Sequence, residues 1–178
     1  TGRSGPQALA VLGQEHHACG EQRVDLQRRA KAKGWQLRGA EAVLSDLGQP
    51  TAGACVATPS HVGMAALPGF SWDVSPARSL GRLAAAWVDT VVRGGLLVLS
   101  AYLWPCEGLT DRNRAILEGV GAVVRSHGGP WLLGADFNMT PQQLREVRGW
   151  FDKLGAALVA PDVVVVDARF ADAVVSIV

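Results

Sequence analysis

Trp131-Leu132-Leu133-Gly134-Ala135-Asp136-Phe137-Asn138 is an apolar run that ends in a carboxylate and an amide two positions apart. Gly128-Gly129-Pro130 stands before it and Pro141 after it. A short apolar run bounded by turn signals reads as a buried strand, so Asp136 and Asn138 stand at a strand's exit. With a side-chain period of two, both point the same way if the strand continues that far. Open α/β sheets bind ligands at the carboxyl ends of their strands, which makes this exit the first candidate site.

Outward from that stretch the periodicity alternates. Downstream, Thr140 at the N-cap and Pro141 at the first helical position open a helix through Leu144, Val147, Trp150, Phe151 and Leu154 to Gly155. Upstream, Thr110 or Asp111 caps a helix whose Ile116, Leu117, Val120, Val123 and Val124 recur three and four apart, and His127-Gly128-Gly129-Pro130 ends it. Before that come two apolar runs, 83–92 and 96–103, separated by Arg93-Gly94-Gly95, which predicts an antiparallel pair joined by a tight Gly-Gly turn. The second run exits at Tyr102-Leu103-Trp104-Pro105 and delivers a phenol. Near the start, Ala8-Leu9-Ala10-Val11-Leu12 runs into Gly13-Gln14-Glu15-His16-His17, the same grammar with a carboxylate at the exit.

The rest is read more coarsely. Residues 24–33 predict a basic surface helix, with Arg23, Arg28, Arg29, Lys31 and Lys33 around few apolar positions and Gly34 at the C-cap. Residues 40–47 fit neither period, whereas 51–58 alternate as one interior strand. Residues 67–76 read as loop with an edge strand around Phe70-Ser71-Trp72, and 163–166 and 171–178 as two last strands. Hairpins together with strands flanked by helices indicate an α/β or α+β sandwich.

The 178 residues and 18.7 kDa suit a single domain, 1–178. A hydrophobic share of 48% with 19% charged residues excludes the disorder signature. The net charge of +1 supplies no global field for nucleic acid, so such a partner would be held by a local patch. Cys19, Cys55 and Cys106 are odd in number and far apart, unlike a disulfide framework or a zinc ribbon, and a reducing compartment is the default expectation. Thr1-Gly2-Arg3-Ser4-Gly5-Pro6 carries no export signal, and no apolar stretch approaches the roughly 18 residues of a membrane span. The expectation is an intracellular protein with no membrane partner, and the absence of an initiating Met fits a piece of a longer polypeptide.

Glu15, Tyr102 and the Asp136/Asn138 pair form an inventory suited to phosphoester cleavage. A hard cation such as Mg²⁺ binds through one or two carboxylates plus a substrate phosphate, a second carboxylate can activate water, and amide and phenol donors neutralise charge on the phosphate. Each residue also has a plainer reading. Glu15 alone is a solvated carboxylate, Asp136-Phe137-Asn138 alone a turn and helix-start signal, and Tyr102 alone a buried tyrosine with a satisfied hydroxyl. Asp172, in an apolar strand, requires a partner. His16-His17-x-Cys19 lacks the distant pair of a zinc site, and Gly119-Val120-Gly121 lacks the third glycine and preceding strand of a dinucleotide site.

At these residues the chain resembles the endonuclease/exonuclease/phosphatase superfamily, which includes DNase I-like nucleases and the endonucleases of non-LTR retrotransposons. Gln14-Glu15-His16 is similar to its QE motif, Ala101-Tyr102-Leu103-Trp104-Pro105 to its tyrosine-proline motif, and Gly134-Ala135-Asp136-Phe137-Asn138 to its GDFN box. Ala171-Asp172-Ala173-Val174-Val175-Ser176 resembles its late IDYFLVS strand, and Thr51-Ala52-Gly53-Ala54-Cys55-Val56-Ala57 the glycine-containing strand of the retrotransposon branch.

The resemblance implies an α/β/β/α sandwich of two packed mixed β-sheets flanked by helices, incomplete at its termini. It implies Mg²⁺ or Mn²⁺ as cofactor, with Glu15 as metal ligand and Asp136 aligning or activating water. Asn138 and Tyr102 would contact the scissile phosphate, and Asp172 would orient a catalytic histidine. It further implies that the family's Asn-bearing first strand and its Ser-Asp-His segment are missing here, so that this fragment could be inactive. DNA is the implied partner, with nuclear location if the chain derives from a retrotransposon. Two alternatives stay open: a non-catalytic nucleic-acid-binding module of the same fold, and a phosphatase acting on a small or lipid phosphate.

Overall fold

Strand alternation sorts the apolar residues into two separate cores, and these define the layers. In a computed structural model, which describes residues 9–67, 81–90, 93–160 and 164–167, the central strands are β7 (Leu83–Val88), β8 (Leu96–Tyr102) and β9 (Trp131–Asp136). On one face Leu83, Leu97, Leu99, Ala101, Trp131, Leu133 and Ala135 pack under two helices, α2 (Asp111–His127) and α3 (Pro141–Lys153). On the other face Ala86, Val88, Val98 and Leu132 meet Val56 and Leu12 of a second sheet. The layering is therefore helix, sheet, sheet, with α1 (Glu21–Ala32) against the second sheet as a thin fourth layer that buries no residue of its own.

The large sheet has six strands in the order β10-β11-β9-β8-β7-β6, with β6 at Met64–Ala65, β10 at Ala156–Ala160 and β11 at Val164–Asp167. Among the described residues its one parallel pair is β8 with β9, because α2 carries the chain back to the starting edge. The second sheet joins β1 (Val11–Gly13), β5 (Cys55–Pro59) and β2 (Trp35–Gly39). Among the described residues both of its pairings, β1 with β5 and β2 with β5, are antiparallel. A separate ladder pairs β3 (Val43–Leu44) with β4 (Pro50–Thr51).

Several expectations are refined. The single strand expected over 51–58 is broken, because Ala52 (φ 63°) and Gly53 (φ 101°) adopt left-handed backbone between β4 and β5. The β7–β8 connection is longer than a tight turn, since Val88 pairs with Leu96. Gly94 and Gly95 do take positive φ, and Gly95 lies against the Trp87 ring where a Cβ would collide. The first strand is Val11–Gly13, shorter than the apolar run that announces it. Thr140 closes a capping box with Gln143 as its sequence requires, whereas the Thr110 hydroxyl donates to Glu107 at 3.0 Å instead of capping α2. Phe70-Ser71-Trp72 and the strand expected over 171–178 lie outside the described residues.

The loop between β8 and α2 is fixed by Asn113, which is fully buried. Its Oδ1 accepts from the Trp104 backbone N–H at 2.7 Å, and its Nδ2 donates to the carbonyls of Gly108 at 2.7 Å and Trp104 at 3.2 Å. Asn113→Ala leaves three backbone groups without these partners and is expected to lower stability by about 3 kcal/mol. Urea unfolding of the variant beside the parent measures that loss, and an unchanged midpoint would refute the role assigned to Asn113.

Candidate active site

The site begins in a contact between the sheets. Ser100, buried in β8, donates its hydroxyl to the Gly13 carbonyl at 3.0 Å. The amide of Gln14 donates back to Ser100 Oγ at 3.0 Å and, at 3.5 Å, to the Gly134 carbonyl. The Leu12 side chain fills the space over Gly134 that a Cβ would occupy. Together these pin the exit of β1 across β8 and β9, so Glu15 emerges over the C-terminal ends of the large sheet. Gly134 fits because only hydrogen leaves room for Leu12.

Glu15 is held in left-handed backbone (φ 55°), and so is His17 (φ 51°). Their segment is strapped to the 52–53 corner, with His16 N–H bonded to the Gly53 carbonyl at 3.2 Å and His17 N–H to that of Ala52 at 3.1 Å. The His16 ring lies against Gly53, its Nδ1 accepting from the Ala18 N–H at 3.1 Å and its Nε2 reaching the Ala40 carbonyl at 3.0 Å. That pattern fits the neutral ring, and burial lowers the His16 pKa below its usual value. Both ring nitrogens of His16 are thus engaged by backbone. His17 turns Nδ1 to the Pro50 carbonyl at 3.0 Å and Nε2 toward Glu15 at 4.0 Å.

Tyr102 and Asp136 are register partners at the ends of the parallel pair. Ser100, Tyr102, Gly134 and Asp136 alternate onto the face that meets β1. Tyr102 is 6% exposed, and burial raises its phenol pKa, with hydrogen bonding to Glu15 pushing the same way and Arg82 opposing. The Glu15 side chain is 46% exposed. A buried phenol and an accessible carboxylate therefore meet at the exits of β8 and β1. Asn138, in left-handed backbone (φ 49°), folds back on this edge: its N–H donates to Asp136 Oδ1 at 3.1 Å and its side-chain amide to the Leu103 carbonyl at 3.0 Å. Among the described residues that amide makes one donor bond, leaving its second hydrogen without a partner there.

Glu15, Tyr102, Asp136 and Asn138 thus converge on one rim, whereas Asp172 lies outside the described residues. Among the described residues no three His, Cys, Asp or Glu side chains gather to hold an ion. What the rim offers is one or two carboxylates, the donor set a hydrated Mg²⁺ uses alongside a phosphate, so the cation implied by the sequence fits the chemistry of these residues.

Sequence reasoning missed Arg82. Its backbone carbonyl accepts from the Tyr102 N–H at 2.9 Å, and its guanidinium stacks on Trp104, 3.4 Å from the ring centroid. The available signal was an arginine opening an otherwise apolar strand, Arg82-Leu83-Ala84-Ala85-Ala86-Trp87-Val88.

No family model and no curated protein matches the chain. Solved structures do. The human Nocturnin catalytic domain with bound sulfate anion aligns at 10% identity with a TM-score of 0.61, covering 89% of this chain and 69% of that one. Humanized D. rerio TDP2 aligns at 12% identity and TM-score 0.51, covering 89% and 67%. ANGEL2, described as a 2′,3′-cyclic phosphatase, aligns at 16% identity and TM-score 0.50, covering 85% of this chain but 44% of its own. These neighbours belong to the endonuclease/exonuclease/phosphatase superfamily, and the fold this chain shares with them is DNase I-like.

The strap at Gly53 makes a prediction. A methyl group there would lie 2.6 Å from the His16 ring at a φ that L side chains rarely adopt. Gly53→Ala is expected to cost about 2 kcal/mol or more and to shift the backbone amide resonances of 14–17 in a folded variant. Unchanged amide resonances would show that Gly53 does not set the Glu15 segment.

Proposed function

We propose that the chain is a divalent-metal-dependent phosphodiester hydrolase domain, and more specifically a DNA endonuclease of the retrotransposon type. The observation that carries this reading is the meeting of Glu15 and Tyr102 at the rim, with Asp136 beside Tyr102 in register. Glu15 is the residue that would hold Mg²⁺ or Mn²⁺. When bound, such a cation polarises the phosphate and neutralises its charge. Asp136 aligns the attacking water and accepts its proton, a role for which the Asn138 N–H bond fixes one carboxylate oxygen and leaves the other available. Tyr102 and the remaining amide hydrogen of Asn138 donate to the phosphate oxygens as charge develops there. By resemblance, Asp172 orients a histidine of the Ser-Asp-His segment.

One observation favours a second reading, a nucleic-acid-binding module without turnover. Helix α1 presents Arg28 and Arg29, each with a 73% exposed side chain, on the outside of the small sheet. Asp25 pairs with both, at 3.4 Å and 2.9 Å, which reduces the net positive charge of that face. Binding through it would weaken steeply with salt and would require no metal. A phosphatase acting on a small or lipid phosphate would keep the same chemistry and differ only in the loops around the rim.

The test is nicking of supercoiled plasmid by the chain extended at both ends as in its parent gene. The expected result is nicking with Mg²⁺, none with EDTA, and a loss of about 100-fold or more in Asp136→Asn or Glu15→Gln at unchanged thermal stability. Absence of Mg²⁺-dependent nicking by the extended protein, or nicking indifferent to Asp136→Ala, would overturn the proposal. Salt-sensitive DNA binding without cleavage would select the second reading.

A further inference from the structure

We propose that Arg82 is a positioning residue of this site: its buried guanidinium fixes the direction of the Tyr102 hydroxyl and places a permanent positive charge behind the phosphate position. The inference rests on the reading of the rim as a phosphoester-cleaving site, and it begins with a cost. Arg82 is 2% exposed, and among the described residues no carboxylate lies within ion-pair distance of it. Its Nε has no hydrogen-bond partner there either. A buried guanidinium without a counter-ion is unfavourable for the fold itself, and an aliphatic side chain would fill the position more cheaply.

The surroundings orient the charge, and the fields of Tyr102 and Glu15 offset only part of the cost of burying it. Nη1 donates to the Tyr102 carbonyl at 3.4 Å, and the guanidinium carbon lies 4.6 Å from the Tyr102 ring centroid and 3.4 Å from that of Trp104. The opposite side of the story is Arg112, whose guanidinium also stacks on Trp104, at 3.6 Å, while bonding Glu107 at 3.0 Å. Cation–π stacking therefore holds the plane of Arg82 rigidly.

The row matters as much as the stack. The β7–β8 register places Leu83 opposite Ala101, and the Tyr102 N–H to Arg82 carbonyl bond extends that ladder by one residue. The β8–β9 register places Tyr102 opposite Asp136. Arg82, Tyr102 and Asp136 consequently form one line across three strands, with Glu15 reaching Tyr102 from the other sheet. A guanidinium can only donate and a carboxylate can only accept. The phenol oxygen thus takes its hydrogen bond from the Arg82 side, and its own proton is aimed toward Glu15 and the opening of the rim. With Glu15 committed to the cation it would hold, that proton would be free to donate to a phosphate oxygen at the rim.

Tyr102 is the only tyrosine in the chain, so tyrosine labelled with ¹³C at Cζ gives a single resonance that reports its hydroxyl. The experiment compares the parent, Arg82→Met and Arg82→Lys by that resonance, with and without inorganic phosphate, and by nicking kinetics of the extended protein. The expected result is a displaced resonance in Arg82→Met, partial return in Arg82→Lys, and a phosphate response that is lost only in Arg82→Met. In kinetics the loss is expected in kcat, about 10- to 100-fold, with KM little changed. A folded Arg82→Met with the parental resonance and parental kcat would overturn the proposal. If Arg82→Met does not fold, Trp104→Leu removes the ring that fixes the guanidinium, and an unmoved Tyr102 resonance there refutes the proposal equally. A displaced resonance in a protein that nicks no DNA would leave the positioning geometry intact and count against the hydrolase reading alone.

Discussion

The structure depends on the hydrogen bond from the Ser100 hydroxyl to the Gly13 carbonyl, with Gln14 returning a bond to the same oxygen. It is a polar clamp inside an otherwise apolar contact between two sheets, which includes Val56, Val98, Leu132 and Leu12. Apolar packing of that kind is non-directional and would tolerate β1 sliding along the large sheet. A buried hydroxyl left without its partner would not. The clamp therefore fixes register between the sheets, and register between the sheets places Glu15 over Tyr102. Gly134 contributes by letting Leu12 settle against β9.

The division of labour between the two faces of β8 follows. Leu97, Leu99 and Ala101 anchor the strand beneath α2 and α3, while Val98, Ser100 and Tyr102 pass from apolar to polar toward the strand's end. Ser100 and Tyr102 remain buried there, and their polar groups are met by Gly13 and Gln14 and by Glu15 and Arg82. The same strand thus runs from core to site along its length, and rigid elements rather than loops hold Tyr102 and Asp136. Glu15 and Asn138 instead sit on left-handed corners that straps to 52–53 and to Leu103 keep in place.

Much of this was legible in the sequence because its signals were local. The apolar run 131–136 with its polar exit, the Thr140-Pro141 helix start and the Gly128 stop each specify their own conformation, and the structure places them as read. Glu15 was findable through the same strand-exit pattern. Trp35–Gly39 and Ala156–Ala160 were not anticipated as strands, since the first mixes polar and apolar residues and the second is a short run in which three of five residues are alanine, a weak strand former. The break at Ala52-Gly53 was hidden because alanine gives no sign of positive φ. Arg82 and Asn113 were invisible for another reason: their meaning lies in partners brought together by the fold, and a sequence window shows only an arginine before a strand and an asparagine in a helix.

Glu15 and Tyr102 are proposed to form one cation-binding, phosphate-facing rim, and a paramagnetic ion tests that proposal most directly. Mn²⁺ titrated into protein carrying ¹³C-labelled tyrosine should broaden the single Tyr102 resonance at substoichiometric metal, and Glu15→Gln should abolish the broadening. A Tyr102 resonance that stays sharp in the parent protein at saturating Mn²⁺, or broadening that survives Glu15→Gln, would contradict it.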